Sequence, residues 1–207
     1  MNIAISEDYN LPDCELLQSG KNLSGLKVWE PERACVIIGK GSDPQDELRA
    51  HNILRDNVPV IKRTTGGCAV VVAPKMFVAS FAVANDPAKK NNEYFELFNG
   101  VILKAFKKIG VGNLGTAGIS DITLNGLKVV GSAIYRNKDQ VFYHAVINIA
   151  GDIELMEKYL KIPTRQPDYR QNRTHRDFVT SFKAQGYQVQ LTEFEQALKS
   201  EWLWHFK

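Results

Sequence analysis

Two short segments hold the residues best suited to chemistry. The first is Lys62-Arg63-Thr64-Thr65-Gly66-Gly67-Cys68-Ala69-Val70, a basic pair and a Gly-Gly turn leading into a strand-like run. Adjacent glycines carry no Cβ, so backbone amides there can turn inward and come close to a phosphate. Arg63 adds a planar fork that can grip a phosphate through two parallel bonds, which Lys cannot reproduce. The same dipeptide is also a common hairpin turn, and both readings stand at this level.

The second segment is Gly118-Ile119-Ser120-Asp121-Ile122, leading into Gly126-Leu127-Lys128-Val129-Val130-Gly131-Ser132-Ala133. Lys128 lies among apolar neighbours, so its head either snorkels to water or meets an anion inside a pocket. Gly131, Ser132 and Ala133 would leave room beside it for a ligand. Tight strand packing explains the glycine but not the lysine. His144, in Phe142-Tyr143-His144-Ala145-Val146, sits on an apolar strand, where a histidine is more often a satisfied core residue than a catalyst. The chain has no HExxH metal motif, no GxSxG nucleophile elbow and no full Walker A, so a nucleotide site would be of another kind.

These segments need strands to place them. Runs rich in Val, Ile and Phe occur at Leu26–Trp29, Ala34–Gly39, Val58–Arg63, Cys68–Val72 and Phe77–Ala84, each bounded by Pro, Gly or Asp. Pro44 to Asn52 has a short helical pattern, with Asp43 a fitting N-cap. Asn92 to Ile109 predicts a helix: Tyr94, Phe95, Leu97, Phe98, Val101, Ile102, Ala105 and Phe106 fall on one face. Lys104, Lys107 and Lys108 suit its negative pole, and Gly110 and Gly112 stop it. Asp121–Leu124 and Lys128–Tyr135 read as a hairpin around Asn125-Gly126, followed by a strand over Gln140–Ile149. Helical patterns return at Ile153–Leu160 and Glu193–Phe206, the latter with Thr192 and Glu195 in capping-box spacing. The expectation is an α+β domain, a mixed or antiparallel central sheet flanked by helices.

Composition narrows little. The chain has 207 residues, 44% hydrophobic and 24% charged, which suits one domain with a substantial core. A formal net charge of +3 is not the concentrated basic stripe of a nucleic-acid binder. Arg165, Arg170, Arg173 and Arg176, interleaved with Tyr169 and His175, form the densest basic stretch; it is either a solvated loop or a surface for an acidic partner protein. Three cysteines without a CxxC pair argue against a disulfide framework or a cysteine zinc site. Cys68 fits a small filler better than a nucleophile. No apolar run approaches the roughly 18 residues of a membrane span, and no signal peptide is visible at Met1–Asp8. A reducing cytoplasmic setting, with no membrane or nucleic-acid partner, is the expectation.

Taken in order, the two segments resemble the lipoate–protein ligase A family, within the biotin/lipoate ligase catalytic-domain superfamily. That family carries Arg-Arg-x-x-Gly-Gly-Gly-Ala-Val, then a Gly-Arg-Asn-Asp-Leu-like stretch, then Lys-Val-Ser-Gly-Ser-Ala. Trp29, Val36-Ile37-Ile38-Gly39-Lys40 and His144 are further echoes, and the similarity reaches Arg176–Phe206. The resemblance implies that lipoate or octanoate and ATP form an acyl-adenylate, which a lysine of a lipoyl carrier domain then attacks. It implies Lys128 as the catalytic cation, with Arg63 and the backbone of Gly66, Gly67, Cys68, Ala69 and Val70 holding phosphate and ligand. Asp121 would hold Mg2+ or the nucleotide, with Gly131, Ser132, Ala133 and His144 completing the pocket. Implied partners are the lipoyl domains of 2-oxoacid dehydrogenase E2 subunits and the glycine cleavage H protein. Residues 1–207 would form one catalytic domain without the family's C-terminal accessory domain, leaving a separate accessory subunit open. Cys68 replaces the third loop glycine, and the His-Asp that usually follows the loop strand is replaced around Val72 and Ala73. These departures keep two alternatives open: an octanoyl or lipoyl transferase of the same superfamily, and a non-catalytic lipoyl-binding relative. The first is disfavoured because Gly115–Ser120 holds no cysteine.

Overall fold

Two β-sheets lie face to face in a computed structural model that describes residues 3–18 and 24–205. The larger has six strands in the order β2 (Gly25–Trp29), β6 (Met76–Ala84), β10 (Gln140–Asn148), β9 (Leu127–Arg136), β8 (Asp121–Leu124) and β7 (Leu114–Ala117). Every neighbouring pair in it is antiparallel. The smaller runs β1 (Ile5–Ser6), β4 (Val60–Lys62), β3 (Cys35–Ile38) and β5 (Val70–Val72). It is mixed, parallel across β1–β4–β3 and antiparallel from β3 to β5. The expected central sheet is thus two sheets. Strand alternation explains why both form: Cys35, Ile37, Ile61 and Val72 point inward onto Val78 and Val146 of the large sheet, while Val36, Ile38, Val60 and Val71 point outward.

Helices cover both outer faces. On the large sheet lies α4 (Asn91–Lys108), which buries Tyr94, Phe98, Val101, Ile102, Ala105 and Phe106, the apolar face its periodicity predicts. Beside it runs α7 (Leu191–His205). Phe106 stacks between Phe182 and Phe194, at centroid separations of 4.3 and 4.5 Å. The small sheet is covered by α3 (Ala50–Arg55), α5 (Glu154–Tyr159) and α6 (His175–Phe178) through Ile53, Met156, Tyr159 and Phe178. A further short helix, α1 (Cys14–Gln18), lies near β2 and β6.

Two helix expectations shift. The Pro44–Asn52 pattern is α2 (Pro44–Glu47) followed by α3, broken where Leu48 bridges Leu160 and the Arg49 amide donates to the Tyr159 carbonyl. Asp43 caps α2 as expected, accepting from the Gln45 amide at 2.8 Å. Thr192 and Glu195 do not cap α7, because the helix begins at Leu191 and the Phe194 amide already donates to Gln190. Phe206, the last residue of that predicted helix, lies outside the described residues. Among those described, no helix is long and apolar enough to cross a membrane.

Candidate active site

The β8–β9 hairpin places the lysine. Asn125 and Gly126 both take positive φ, 52° and 80°, as a tight two-residue turn requires. The register then slips: Thr123 faces Lys128 but Ile122 faces Val130, so Val129 is an extra residue. Such a bulge breaks the alternation of faces. Val129 and Val130 both enter the core beneath α4, and Lys128 comes to the same face as Gly131. A Cβ at Gly131 would lie 2.8 Å from Lys128 Cε and 2.9 Å from Nζ. The glycine is therefore the seat of the lysine head.

Lys128 Nζ donates to Asp121 Oδ1 at 2.8 Å, and Asp121 lies opposite Gly131 in the register. The other Asp121 oxygen accepts the Tyr169 hydroxyl at 2.7 Å. Asp121 is buried, while Lys128 keeps 28% of its side chain exposed. The lysine backbone is clamped on its second side, where Val179 bridges it and the Thr180 amide donates to its carbonyl. Burial, then the Asp121 charge, pushes the Tyr169 phenol far above its ordinary range, so it stays a donor.

The glycine segment is an irregular loop between β4 and β5. Gly67 has φ of 90°, and its carbonyl lies where a Cβ on Gly39 would stand, at 2.0 Å. Arg63 is buried and turned into the loop: Nε and Nη2 donate to the Gly66 carbonyl, Nη2 also to Cys68, and Nη1 to Ile37. Four donor contacts go to backbone oxygen, so Arg63 shapes the loop here instead of facing a phosphate. Burial lowers its pKa to about 10, which leaves it charged. The amides of Gly66, Gly67 and Cys68 have no partner among the described residues, and both glycines are exposed. The Ala69 amide is taken by Glu47. Val70 opens β5 and packs between the sheets.

Loop and lysine are joined through shared neighbours: Thr65 of the loop meets His144 of the large sheet, and the segment that touches Cys68 through Arg165 reaches Asp121, the partner of Lys128, through Tyr169. Burial, then Glu47, pushes the Cys68 thiol up, while the charges of Arg63, Lys128 and Arg165 pull against that rise. Cys68 Sγ contacts the Arg165 carbonyl at 3.5 Å. The basic stretch divides: Arg165 and Arg176 are exposed, while Tyr169 reaches Asp121 and Arg170 and His175 are buried. Arg170 stacks 4.8 Å over Phe178, with its Nη2 unpartnered among the described residues. Burial lowers its pKa against the nearby charges of Glu157, Cys68 and Asp121.

The remaining expected residues divide. Ala133 pairs with His144 on the Gly131 face. Ser132 points the opposite way, its hydroxyl donating to the Ser120 carbonyl at 2.7 Å. His144 Nε2 meets Thr65 Oγ1 of the loop at 2.8 Å. For magnesium, both Asp121 oxygens are engaged, and no group of three His, Cys, Asp or Glu among the described residues could hold a metal. These residues do not form a protein-held metal cage. A separate open cavity of about 780 Å³ beside α2 and α3, lined in part by Leu48, Arg49, His51 and Lys161, contains none of the residues above. Sequence reasoning gave no role to Tyr169, Glu47 or Thr65; none lies at a spacing that marks it, and only the closed loop reveals them.

The model of the lipoyl protein ligase A/B catalytic domain family matches residues 11–203, and the chain belongs to that family. Among curated relatives it is 28% identical over 130 residues to lipoate–protein ligase 1 of Staphylococcus aureus, covering 63% of this chain and 39% of that protein. It thus spans about two fifths of that relative's length. The bipartite lipoate protein ligase of Thermoplasma acidophilum, described together with its E2 lipoyl domain, superposes with a TM-score of 0.73 at 18% identity, covering 85% of this chain and 68% of that one. A lipoate–protein ligase A bound with ATP gives 0.71 at 19% identity, over 85% and 70%. At these identities the superpositions speak to the fold, and they agree with the α+β architecture.

Proposed function

We propose that this chain uses ATP to activate lipoate, or a near relative such as octanoate, and passes the acyl group to a lysine of a lipoyl carrier domain. The observation that carries this is the Lys128 ammonium, seated on Gly131 beside a buried carboxylate, on the sheet face to which Thr65 and His144 bond a loop with three amides unpartnered among the described residues. In this reading a carboxylate oxygen of the acid attacks the α-phosphorus of ATP, and the bond to pyrophosphate breaks. Lys128 offsets the charge gathering on the carboxyl and phosphate oxygens. The amides of Gly66, Gly67 and Cys68 take phosphate oxygens, and Arg63 keeps them aimed. Arg170 Nη2, over Phe178, is a further donor unpartnered among the described residues. The acceptor amine then attacks the acyl carbonyl carbon, and AMP leaves.

Relatives support the substrates: one solved neighbour is a ligase bound with ATP, and another is described with an E2 lipoyl domain. E2 lipoyl domains and the glycine cleavage H protein are the proposed acceptors, and a separate accessory subunit is the proposed second component. Magnesium, if carried in by ATP, would supply charge neutralisation to the phosphates. The test is incubation with ATP, a panel of acids and a purified lipoyl domain, read by intact mass. An ATP-dependent mass gain of one acyl group on the domain's lysine supports the reading; bound acid with neither adenylate nor transfer favours the non-catalytic alternative.

One second reading is a thioester relay through Cys68, a half-buried thiol in the glycine loop. It predicts that Cys68→Ala abolishes transfer, whereas the ligase reading predicts ATP-dependent transfer within a few-fold of wild type. The raised thiol pKa argues for the latter, since the thiolate is the nucleophile.

A further inference from the structure

We propose that Asp13 is a positioning residue for the glycine loop, acting through His144 and Thr65 to set the loop against the sheet that carries Lys128. The kinetic part of this inference rests on the ligase reading; the structural part does not.

Asp13 precedes α1 and is fully buried, a costly place for a carboxylate unless donors surround it. Tyr9 donates to Oδ1 at 2.9 Å and Ser80 to Oδ2 at 2.6 Å. His144 Nδ1 lies 3.7 Å from Oδ2 and 3.4 Å from the Tyr9 oxygen. Burial pushes the Asp13 carboxyl up, but His144, Ser80 and Tyr9 outweigh it and hold it below its ordinary range. Asp13 is therefore ionised and can only accept. The Tyr9 proton already goes to Asp13, so the Tyr9 oxygen can only accept from His144. Both neighbours require the proton on Nδ1. Burial, then the Arg63 charge, keeps His144 from taking a second proton, against the pull of Asp13.

With Nδ1 protonated, Nε2 is bare and must accept from the Thr65 hydroxyl. Among the described residues this is the one hydrogen bond from the loop to the six-stranded sheet; the others run to β3, to Lys40, whose amide donates to the Thr65 carbonyl, to Ser42, to Glu47, to Arg165 and within the loop. It comes immediately before the unpartnered amides of Gly66 to Cys68. The rows also align: His144 pairs with Ala133, two residues from Gly131. The bond that fixes the loop therefore ends on the face that carries Lys128. Asp13, which reaches the loop only through His144, sets the proton order that makes this bond.

An Asn at position 13 can turn its amide to donate to Nδ1, which favours the opposite tautomer and removes the acceptor for Thr65. Nitrogen NMR of His144 in the protein without ligands should show Nδ1 protonated and Nε2 bare, and Asp13→Asn should populate the reverse form. In ATP-dependent adenylation, Asp13→Asn and Thr65→Val should each raise the KM for ATP about tenfold with little change in kcat, as lost uniform binding does. Thr65→Ser, which keeps the donor, should recover most of the loss. The double variant should be no worse than either single one, because both cut the same connection. A wild-type His144 protonated on Nε2 overturns the inference, as do unchanged KM values in both variants or fully additive effects. A wild type that forms no adenylate refutes the ligase reading, while the tautomer measurement still decides this one.

Discussion

At residue scale the account turns on one ammonium and the glycine beneath it. Gly131→Ala separates activity from stability. The added Cβ crowds the flexible end of Lys128 and meets Asp121 Oδ1 at an ordinary 3.9 Å, so the fold should lose no more than about 1 kcal/mol. The displaced ammonium should cost adenylation on the order of a hundredfold, the usual effect of removing a preorganised charge partner. Parallel urea melts and adenylate assays check both halves; equal losses of stability and activity would assign the glycine to packing alone. His175 gives a pH prediction. Burial, then the Arg170 charge, lowers its pKa to about 4, whereas an unfolded imidazole titrates near 6.5. Between those values the unfolded chain binds more protons. The contribution of this group is thus fully present above pH 6.5 and is lost as pH falls toward 4. His144 adds a slope of the same sign. Urea midpoints at pH 7 and 4.5 should therefore differ less in His175→Gln than in wild type, and an unchanged difference would contradict the assignment.

At the scale of elements, the glycine loop is held by what passes beneath it. Gly39→Ala would force a Cβ to within 2.0 Å of the Gly67 carbonyl, a backbone atom that cannot swing aside. Such strain should cost roughly 1–3 kcal/mol and displace the loop, raising the KM for ATP; thermal melts and kinetics on the purified variant check this. Much of this level was legible in the sequence. Strand-like runs bounded by turn residues marked β2 to β6, Asn125-Gly126 marked the β8–β9 hairpin, and one apolar stripe marked α4. The elements missed were short, such as β1, α6 and β7, whose stability comes from what they pack against and not from their own pattern. The site was half legible. Glycines and a strand lysine advertise themselves by residue type. Arg63 turning inward, Ser132 facing away and Tyr169 capping Asp121 depend on a bulge and a loop closure that no local spacing encodes. The basic stretch was legible in part: Arg165 and Arg176 face solvent as charge suggests, whereas Phe178 offers Arg170 and Arg173 an aromatic surface at 4.8 and 5.2 Å.

At the scale of the whole molecule, two sheets with helical outer layers hold the lysine and the loop from different sides. Lys128 belongs to the large sheet, the loop to the small one, and the segment from Arg165 to Phe182 ties them together. Phe182 ends that segment by stacking on Phe106 of α4. Phe106→Ala should cost about 3–5 kcal/mol by urea denaturation, loosening the anchor of the strap along Lys128. The most direct measurement of the central claim is acid-dependent exchange of labelled pyrophosphate into ATP, run on wild type and Lys128→Ala with cooperative unfolding verified for both. Exchange that requires lipoate or octanoate in wild type, and falls at least about a hundredfold in the variant, is the predicted result; full exchange in a folded Lys128→Ala protein would contradict the account.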